Sequence, residues 1–288
     1  RTVAYFFGVG AHADVLQVAF KSPNLLQNLL GEGTISAAFI PIYSRMIEEE
    51  RHEAAGRFAG AIFGLLLAVA GGLALLGVLL AEPIVWALAP GFAGDAAQVA
   101  AGDLAVNRFA LAVRAVRVIF PMAGVLVLSA WALGVLNSHR RFFIPYVAPA
   151  LWNVSIIAFL FGGAYWMTGT PWAPDALATG TLTRLLMAAC VGALAGGLLQ
   201  FGVQLPFVAR EMPGVTFSLS TRVEGVRDAI NAFGPVVASR GVAQLSAYLD
   251  LFLASWLAVG ALSALRYAQL LYMLPISLFG MSVAASEL

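Results

Sequence analysis

Five long runs of uncharged, mainly apolar residues constrain this chain more than any other feature of its sequence. They occupy residues 59–80, 118–137, 142–174, 185–209 and 267–286. Each run meets or approaches the roughly 20 residues that a helix needs to cross a hydrocarbon core about 30 Å thick. Only 11% of the 288 residues are charged, against about 25% in a soluble domain. The sequence therefore predicts an all-α, polytopic helical membrane protein.

Polar breaks between the apolar segments predict about seven to eight transmembrane helices. The predicted spans are a remnant at 1–8, then 13–46, 56–80, 118–137, 144–167, 185–207, 234–257, and an eighth from 263 onward. We expect an interfacial loop at 81–95 and an interfacial amphipathic helix at 220–233, capped by Ser220 or Thr221. Both ends of the chain fall within apolar segments, so we expect it to be part of a longer protein.

The basic residues of the short loops indicate the orientation. These residues are Arg45, Arg51, Arg57, Arg140, Arg141, Arg210, Arg222 and Arg227. Two other connecting segments, 90–103 and 167–181, contain no basic residue. Because basic loops tend to stay in the cytoplasm, we predict that the even-numbered spans end there. Arg108, Arg114 and Arg117 lie on the opposite side, and we interpret them as part of a headgroup-facing amphipathic helix.

Span two carries a continuous stripe of polar residues. At about 100° per residue, one face of a helix holds Asp14, Gln17, Lys21, Asn24, Asn28 and Glu32. Charged groups at membrane depth are costly and usually face a water-filled cavity or a partner. The stripe favours a solvated substrate pathway; the alternative is polar contact between helices, with Lys21 paired to Asp14 or Glu32. Pro23, Gly31 and Gly33 predict a bend in the same helix.

Span seven contains a second group of polar residues at membrane depth. Arg240 and Gln244 are four residues apart and share one face of a helix, with Asp250 nearer its outer end. A guanidinium can bind a phosphate through two parallel hydrogen bonds. An intramembrane ion pair of Arg240 with Asp14 or Glu32 is the alternative.

Several other kinds of site find no support in the residues. The histidines, His12, His52 and His139, lack the spacing of metal ligands, and the single Cys190 excludes disulfides within the chain. The segment GVGAHA at Gly8 matches a dinucleotide-binding pattern, but that pattern needs a βαβ unit, so we interpret it as a turn. A net charge of +1 argues against nucleic acid as a partner. We therefore expect no metal, no cofactor and no catalytic residue.

A series of motifs in order along the chain resembles one known family. The segment ADVLQVAFKSPNLLQNLLGEGTISAAFIPIY, at 13–43, is similar to the second helix of the MurJ (MviN) family, the lipid II flippases of bacterial peptidoglycan synthesis. The similarity continues through APGF at 89–92, LNSHRRFFIPYVAP at 136–149, GGLLQFGVQLP at 196–206, FGPV at 233–236 and YAQLLYMLPISLFGMSV at 267–283.

The resemblance implies part of a fourteen-helix transporter of the multidrug/oligosaccharidyl-lipid/polysaccharide (MOP) exporter superfamily. Residues 1–210 would form the first lobe, 211–233 a cytoplasmic linker with the interfacial helix, and 234–288 helices seven and eight of the second lobe. The implied function is translocation of lipid-linked peptidoglycan precursor across the bacterial inner membrane by alternating access. The implied partners are lipid II, membrane lipids and the remaining lobe of the same chain, and no enzymatic activity is expected.

The resemblance also assigns roles to individual positions. Asp14 corresponds to a functionally important acid of the family's second helix, and Glu32 to the acid of its Glu-Gly pair. Gln27 and Leu270 occupy the positions of two cavity arginines, and we expect Arg240 to restore part of that charge. The predicted substrate cavity is lined by Asp14, Gln17, Lys21, Asn24, Gln27, Asn28, Glu32, Arg240 and Gln244.

Three alternatives stay open. The same fold could export another polyprenyl-linked glycan or a drug, although a drug exporter for cations should have an acidic cavity. The predicted cavity is instead mixed in charge, with Lys21 and Arg240 as the only clear cations of the spans beside Asp14 and Glu32. A non-transporting scaffold that recruits cell-wall enzymes is the second alternative, and a membrane enzyme is the third and weakest.

Overall fold

All elements of the computed structural model within the described ranges, residues 2–172, 177–212 and 215–275, are helical. They are α1 (Thr2–Phe7), α2 (Ala11–Leu30), α3 (Glu32–Ala38), α4 (Ile40–Glu48), α5 (His52–Leu79), α6 (Ala81–Leu88), a 3-10 turn (Pro90–Phe92), α7 (Asp95–Ala101), α8 (Arg108–Ser138), α9 (Phe143–Thr168), α10 (Thr179–Glu211), α11 (Val226–Ala254) and α12 (Ala261–Pro275). The all-α prediction is confirmed. Among the described helices, α5, α8, α9 and α10 are each long and apolar enough to cross a membrane. The predicted interfacial loop at 81–95 is largely helical, because it holds α6 and the start of the segment Pro90–Ala101, and these two meet at an angle of 105°.

Helix α8 is the central helix of the bundle. It packs against α2, α5 and α10, and 83% of its most apolar 18-residue stretch is buried. Trp131 is buried and donates a hydrogen bond to the Ala59 carbonyl oxygen at 3.1 Å, which fixes α8 against α5. The prediction that Arg108 faces headgroups is wrong, because Arg108 is buried in an ion pair with Asp95. The segment that carries Arg108, Arg114 and Arg117 continues without a break into the apolar part of α8.

Helices α9 and α10 form the most extensive pair, and two glycines bring them together. A Cβ atom at Gly192 would lie 2.7 Å from the Cβ of Phe159, and one at Gly196 would lie 2.8 Å from the Cα of Trp152. Small residues let two helix backbones approach where lipid provides no hydrophobic driving force. These two positions therefore set the distance between α9 and α10.

Helix α9 lies at the outside of the bundle and carries exposed aromatic rings at both of its ends. Phe143 and Tyr146 are exposed near its start, and Tyr165 and Trp166 near its end. Tyr146 and Trp166 are twenty residues apart, which corresponds to about 30 Å along a helix. Exposed aromatic residues at this separation are typical of side chains at the two membrane–water interfaces.

Predicted span two is divided into three helices. The predicted bend lies at Gly31, where a Cβ atom would overlap the Gln27 carbonyl oxygen. The Thr34 hydroxyl donates to the carbonyl oxygen of Leu29 at 2.6 Å and satisfies a group near the break. A second break lies at Phe39, before α4, whereas α2 continues through Pro23. The polar face of α2 therefore changes direction where α3 begins.

Residues 215–225, here called the connector, join α10 to α11 without forming a helix. Of the predicted interfacial helix at 220–233, only the part from Val226 onward is helical, as the start of α11. Before it, Ser220 accepts a hydrogen bond from the Arg222 amide at 3.2 Å and closes a local turn. Gly225 then adopts a left-handed conformation (φ 80°), and α11 begins at Val226. The helix that contains predicted span seven therefore starts before residue 234.

The connector lies directly on α5. A Cβ atom at Gly60 would overlap the carbonyl oxygen of Thr216, and one at Gly64 would overlap that of Ser218. Arg51, which precedes α5, donates a hydrogen bond to Glu224. The chain between α10 and α11 is thus attached to α5 along its length rather than spanning open space.

Candidate functional site

A pocket with a volume of about 190 Å³ lies between the polar face of α2 and the helices α11 and α12. We call it the central pocket. It is lined by Gln17, Phe20, Lys21, Asn24, Asp250, Leu251, Leu262, Leu265, Arg266 and Gln269. The structure thus brings three of the predicted cavity residues, Gln17, Lys21 and Asn24, into one site.

The two cations of the central pocket come from opposite walls. Lys21 lies on α2, and its ammonium nitrogen is 5.3 Å from the centre of the Tyr248 ring, in a cation–π contact with α11. Arg266 lies on α12, and Asp250 on α11 supplies the only acidic group of the lining. Because two positive groups face one negative group, the pocket favours an anionic ligand.

Sequence analysis missed Arg266. It precedes Leu270, one of the two positions at which the resemblance implies a family arginine, by four residues, so the two positions share one face of α12. This four-residue spacing from Leu270 is the feature of the sequence that could have identified Arg266 as a pocket residue. The predicted pairing of Lys21 with Asp14 or Glu32 is not present among the described ion pairs, since Lys21 instead contacts Tyr248.

A second pocket of about 420 Å³, which we call the α3 pocket, lies at the break between α2 and α3. It is lined by Gln27, Asn28, Glu32, Gly33, Ser36 and Arg240. The Arg240 guanidinium occupies the space that a side chain at Gly33 would need. Arg240 and Glu32 share this pocket, but the described residues include no ion pair between them. Gln244, one turn further along α11, is half-buried and is not part of either lining.

Asp14 does not line either pocket, although the helical periodicity places it on the same stripe. Its carboxylate is buried (1% exposed). It accepts hydrogen bonds from the backbone amides of Gly260 at 2.6 Å and Ser263 at 2.9 Å, and from the Ser263 hydroxyl at 2.9 Å. A carboxylate in this position caps the first turn of α12 and interacts favourably with the helix dipole. Asp14 therefore fastens α12 to α2.

The remaining polar residues lie apart from these pockets. His12 contacts the Thr183 hydroxyl at 3.0 Å, whereas His139 contacts the Tyr43 hydroxyl at 3.1 Å and Glu211 at 3.5 Å. Within the described part of the chain, no group of three His, Cys, Asp or Glu residues could hold a metal ion. The charges of the central pocket suit an anionic ligand.

Apolar helices that enclose a small, positively charged pocket between two groups of helices have the architecture of a polytopic membrane transporter. Comparison with known proteins identifies the family to which the chain belongs. Residues 3–288 match the family described as "Lipid II flippase MurJ", and the chain belongs to the MurJ family. The resemblance seen in the sequence motifs is thereby confirmed.

Individual relatives agree with this assignment. The chain is 32% identical over 285 residues to a "Probable lipid II flippase MurJ" of Rhizobium tropici, a match that covers 98% of this chain and 49% of the relative. It is 31% identical to the "Lipid II flippase MurJ" of Burkholderia cenocepacia, covering 98% and 50%. The chain thus spans about half the length of the curated relatives it matches.

A solved structure has the same fold. The structure titled "Lipid II flippase MurJ, inward closed conformation" superposes with a TM-score of 0.73 at 22% sequence identity. The match covers 99% of this chain and 53% of that chain.

Proposed function

We propose that this chain forms the first lobe and the start of the second lobe of a flippase that moves lipid II across the bacterial inner membrane by alternating access. In this proposal α1–α10 belong to the first lobe, the connector links the lobes, and α11 and α12 begin the second. The observation that carries the proposal is the central pocket, whose two cations, Lys21 on α2 and Arg266 on α12, come from opposite walls. Translocation requires no covalent step, so no catalytic residue is invoked.

The size of the central pocket suits a closed state. Sites for whole drug-sized ligands usually have volumes of about 300–1,000 Å³, and this one measures about 190 Å³. A phosphate group fits such a volume, whereas a disaccharide-pentapeptide does not. Helices α11 and α12 must therefore move away from α2 before the head group can enter, while the polyprenyl tail stays in the lipid.

The charges of the pocket give the head group a way to control this movement. Lys21 and Arg266 repel each other across the empty pocket, and Asp250 offsets only part of this repulsion. A pyrophosphate between them attracts both cations at once, which favours the closed arrangement. A ligand shifts a conformational equilibrium only through such a difference in affinity between the two states.

The α3 pocket extends the polar path along the same helices. Arg240 supplies a further cation there, beside the amides of Gln27 and Asn28. An unpaired anion buried in the membrane would lose far more solvation energy than a single hydrogen bond returns. We infer that the head group passes between the central pocket and the α3 pocket, where Arg240 lies beside Glu32. The contact of Asp14 with the start of α12, here called the Asp14 clamp, closes the opposite end of the path.

Complementation with the full-length protein tests this function. Cells depleted of their own lipid II flippase should grow when they express the wild-type protein. Lys21→Ala and Arg266→Ala should fail at normal membrane levels, and Lys21→Arg should retain partial function because it keeps the charge. Arg184→Ala is the matched control, since Arg184 is an exposed arginine outside both pockets.

Three outcomes would contradict parts of the proposal. Growth of both alanine variants would show that the pocket cations do not hold the head group. A wild-type protein that flips another polyprenyl-linked glycan in proteoliposomes, but not lipid II, would correct the cargo. A protein that supports growth but flips no lipid in proteoliposomes would instead be a scaffold.

A further inference from the structure

Two acids and one arginine are buried together beside the start of α12. Their exposed fractions are 1% for Asp14, 0% for Asp95 and 5% for Arg108. Arg108 donates to Asp95 through Nε at 2.7 Å and Nη2 at 2.9 Å, and its backbone amide adds a third bond at 3.0 Å. The remaining nitrogen, Nη1, lies 3.8 Å from Asp14 Oδ2. One guanidinium thus faces two carboxylates, and its two parallel hydrogen bonds, from Nε and Nη2, go to Asp95.

We propose that Arg108 and Asp95 are positioning residues for the Asp14 clamp. Because Asp95 engages Nε and Nη2, Arg108 stays too far from Asp14 to form a direct hydrogen bond. The Asp14 carboxylate is therefore left available to the amides of Gly260 and Ser263. Without the Asp95 charge, the guanidinium would turn toward Asp14 and compete for the oxygens that hold α12. This inference rests on the proposed transport cycle, in which the clamp has to open.

The segment that carries Asp95 makes its own contact with the second group of helices. The Gly91 amide donates to the Ser255 hydroxyl at 3.1 Å. A side chain at Gly91 would overlap the Ser255 carbonyl and would lie 2.7 Å from the Trp256 amide nitrogen. Residues 255–260 between α11 and α12 are thus held at both ends, at Ser255 by Gly91 and at Gly260 by Asp14.

The ion pair joins these two attachments. Phe92, next to Gly91, packs against the Arg108 guanidinium at 4.3 Å from ring centre to Cζ, and Asp95 lies three residues further along. A displacement of the turn at Gly91 therefore moves Asp95 and Arg108, and with them the environment of Asp14. We call the group formed by Gly91, Asp95, Arg108 and Asp14 the closure. Its two contacts with residues 255–260, Gly91 with Ser255 and Asp14 with Gly260, therefore break together.

Thiol labelling in the full-length protein tests this coupling. Ala254→Cys introduces a thiol at the buried end of α11, beside Ser255, in a background in which Cys190 and any other cysteine of the full-length protein are replaced by alanine. A water-soluble thiol reagent is applied to both faces of membrane vesicles that contain no added cargo. Asp95→Asn should increase the labelling rate at least about fivefold, the lower end of typical coupling between two sites. Asp103→Asn, an exposed acid of the same loop, should leave the rate unchanged.

A double variant separates positioning from simple destabilisation. If Asp95 acts through Asp14, adding Asp95→Asn to Asp14→Asn should not increase labelling beyond Asp14→Asn alone. A thiol at Leu136, buried at the far end of α8, should stay unreactive in every variant. Arg108→Lys, which keeps the charge but loses the fork, should also increase labelling, and it provides the same test if Asp95→Asn does not insert.

Additive effects in the double variant, or equal labelling of Asp95→Asn and Asp103→Asn, would overturn the inference. Labelling that rises equally at Leu136→Cys would assign Asp95 a purely structural role and would overturn it too. Because no cargo is present, these results do not depend on whether lipid II is the substrate.

Discussion

Substituting alanine for Gly60 tests how firmly the connector is held on α5. The added Cβ would overlap the Thr216 carbonyl oxygen and lie 2.9 Å from its carbonyl carbon. Both atoms belong to the backbone, so the neighbour cannot rotate away as a side chain could. Overpacking of this kind typically costs about 1–3 kcal/mol. In an unobstructed helical position the same substitution stabilises by about 0.5–1 kcal/mol.

Gly71 provides the unobstructed position, because it lies in the same helix and a Cβ there would meet no atom within 4 Å. We expect Gly60→Ala to be less stable than Gly71→Ala by at least about 1.5 kcal/mol. The free energy of unfolding is measured on the full-length protein in detergent. Trypsin cleavage at Arg222, an exposed residue of the connector, should accelerate only in Gly60→Ala. Equal stability and equal cleavage of the two variants would refute the contact between connector and α5.

Three further predictions follow from the geometry. In the full-length protein, the thiol of Ser138→Cys should be labelled only from the cytoplasm and that of Thr170→Cys only from outside; reversed labelling would invert the proposed orientation. The hydrogen bond from Arg51 holds the pKa of Glu224 below its ordinary value. The ion pair should therefore be fully present above about pH 4.3, the ordinary value, and be lost as the pH falls through the lower folded value. As the pH falls through that range, the rate at which pepsin cleaves the connector should rise. It should not exceed the rate measured for the Glu224→Gln variant, which lacks the ion pair at every pH. Gly33→Ala should displace the Arg240 side chain without unfolding the protein, because that contact is with a flexible side chain. Its transport should fall to the level of Arg240→Ala, and normal transport would exclude a role for the α3 pocket.

Helical periodicity predicted the polar face of α2 but not what each part of it meets. Asp14, Lys21 and Glu32 share one stripe in the sequence. In the structure Asp14 caps α12, Lys21 lines the central pocket and Glu32 lines the α3 pocket. The partners lie more than 200 residues away in the chain for Asp14 and Lys21. A periodic pattern describes one helix, and it contains no information about such distant contacts.

Similar limits apply to small residues spaced four apart and to Arg108. Gly60/Gly64 and Gly192/Gly196 have the same spacing, yet the first pair contacts an extended connector and the second contacts a helix. The spacing indicates close approach and does not identify what approaches. The sequence predicts that Arg108 faces headgroups because its partner Asp95, thirteen residues earlier in a predicted loop, is brought to it only by the fold.

The exposed rings at the two ends of α9 match this protein to one membrane thickness. Their separation of about 30 Å equals that of a typical hydrocarbon core, so α9 has little surplus length with which to tilt. A thinner bilayer would force α9 to lean or would pull one set of rings out of its interface. Because α9 is fastened along α10 at Gly192 and Gly196, any such leaning is passed to α10 and then to the central α8. A bilayer of a different thickness is thus expected to change the tilt of α9 and of the helices packed against it.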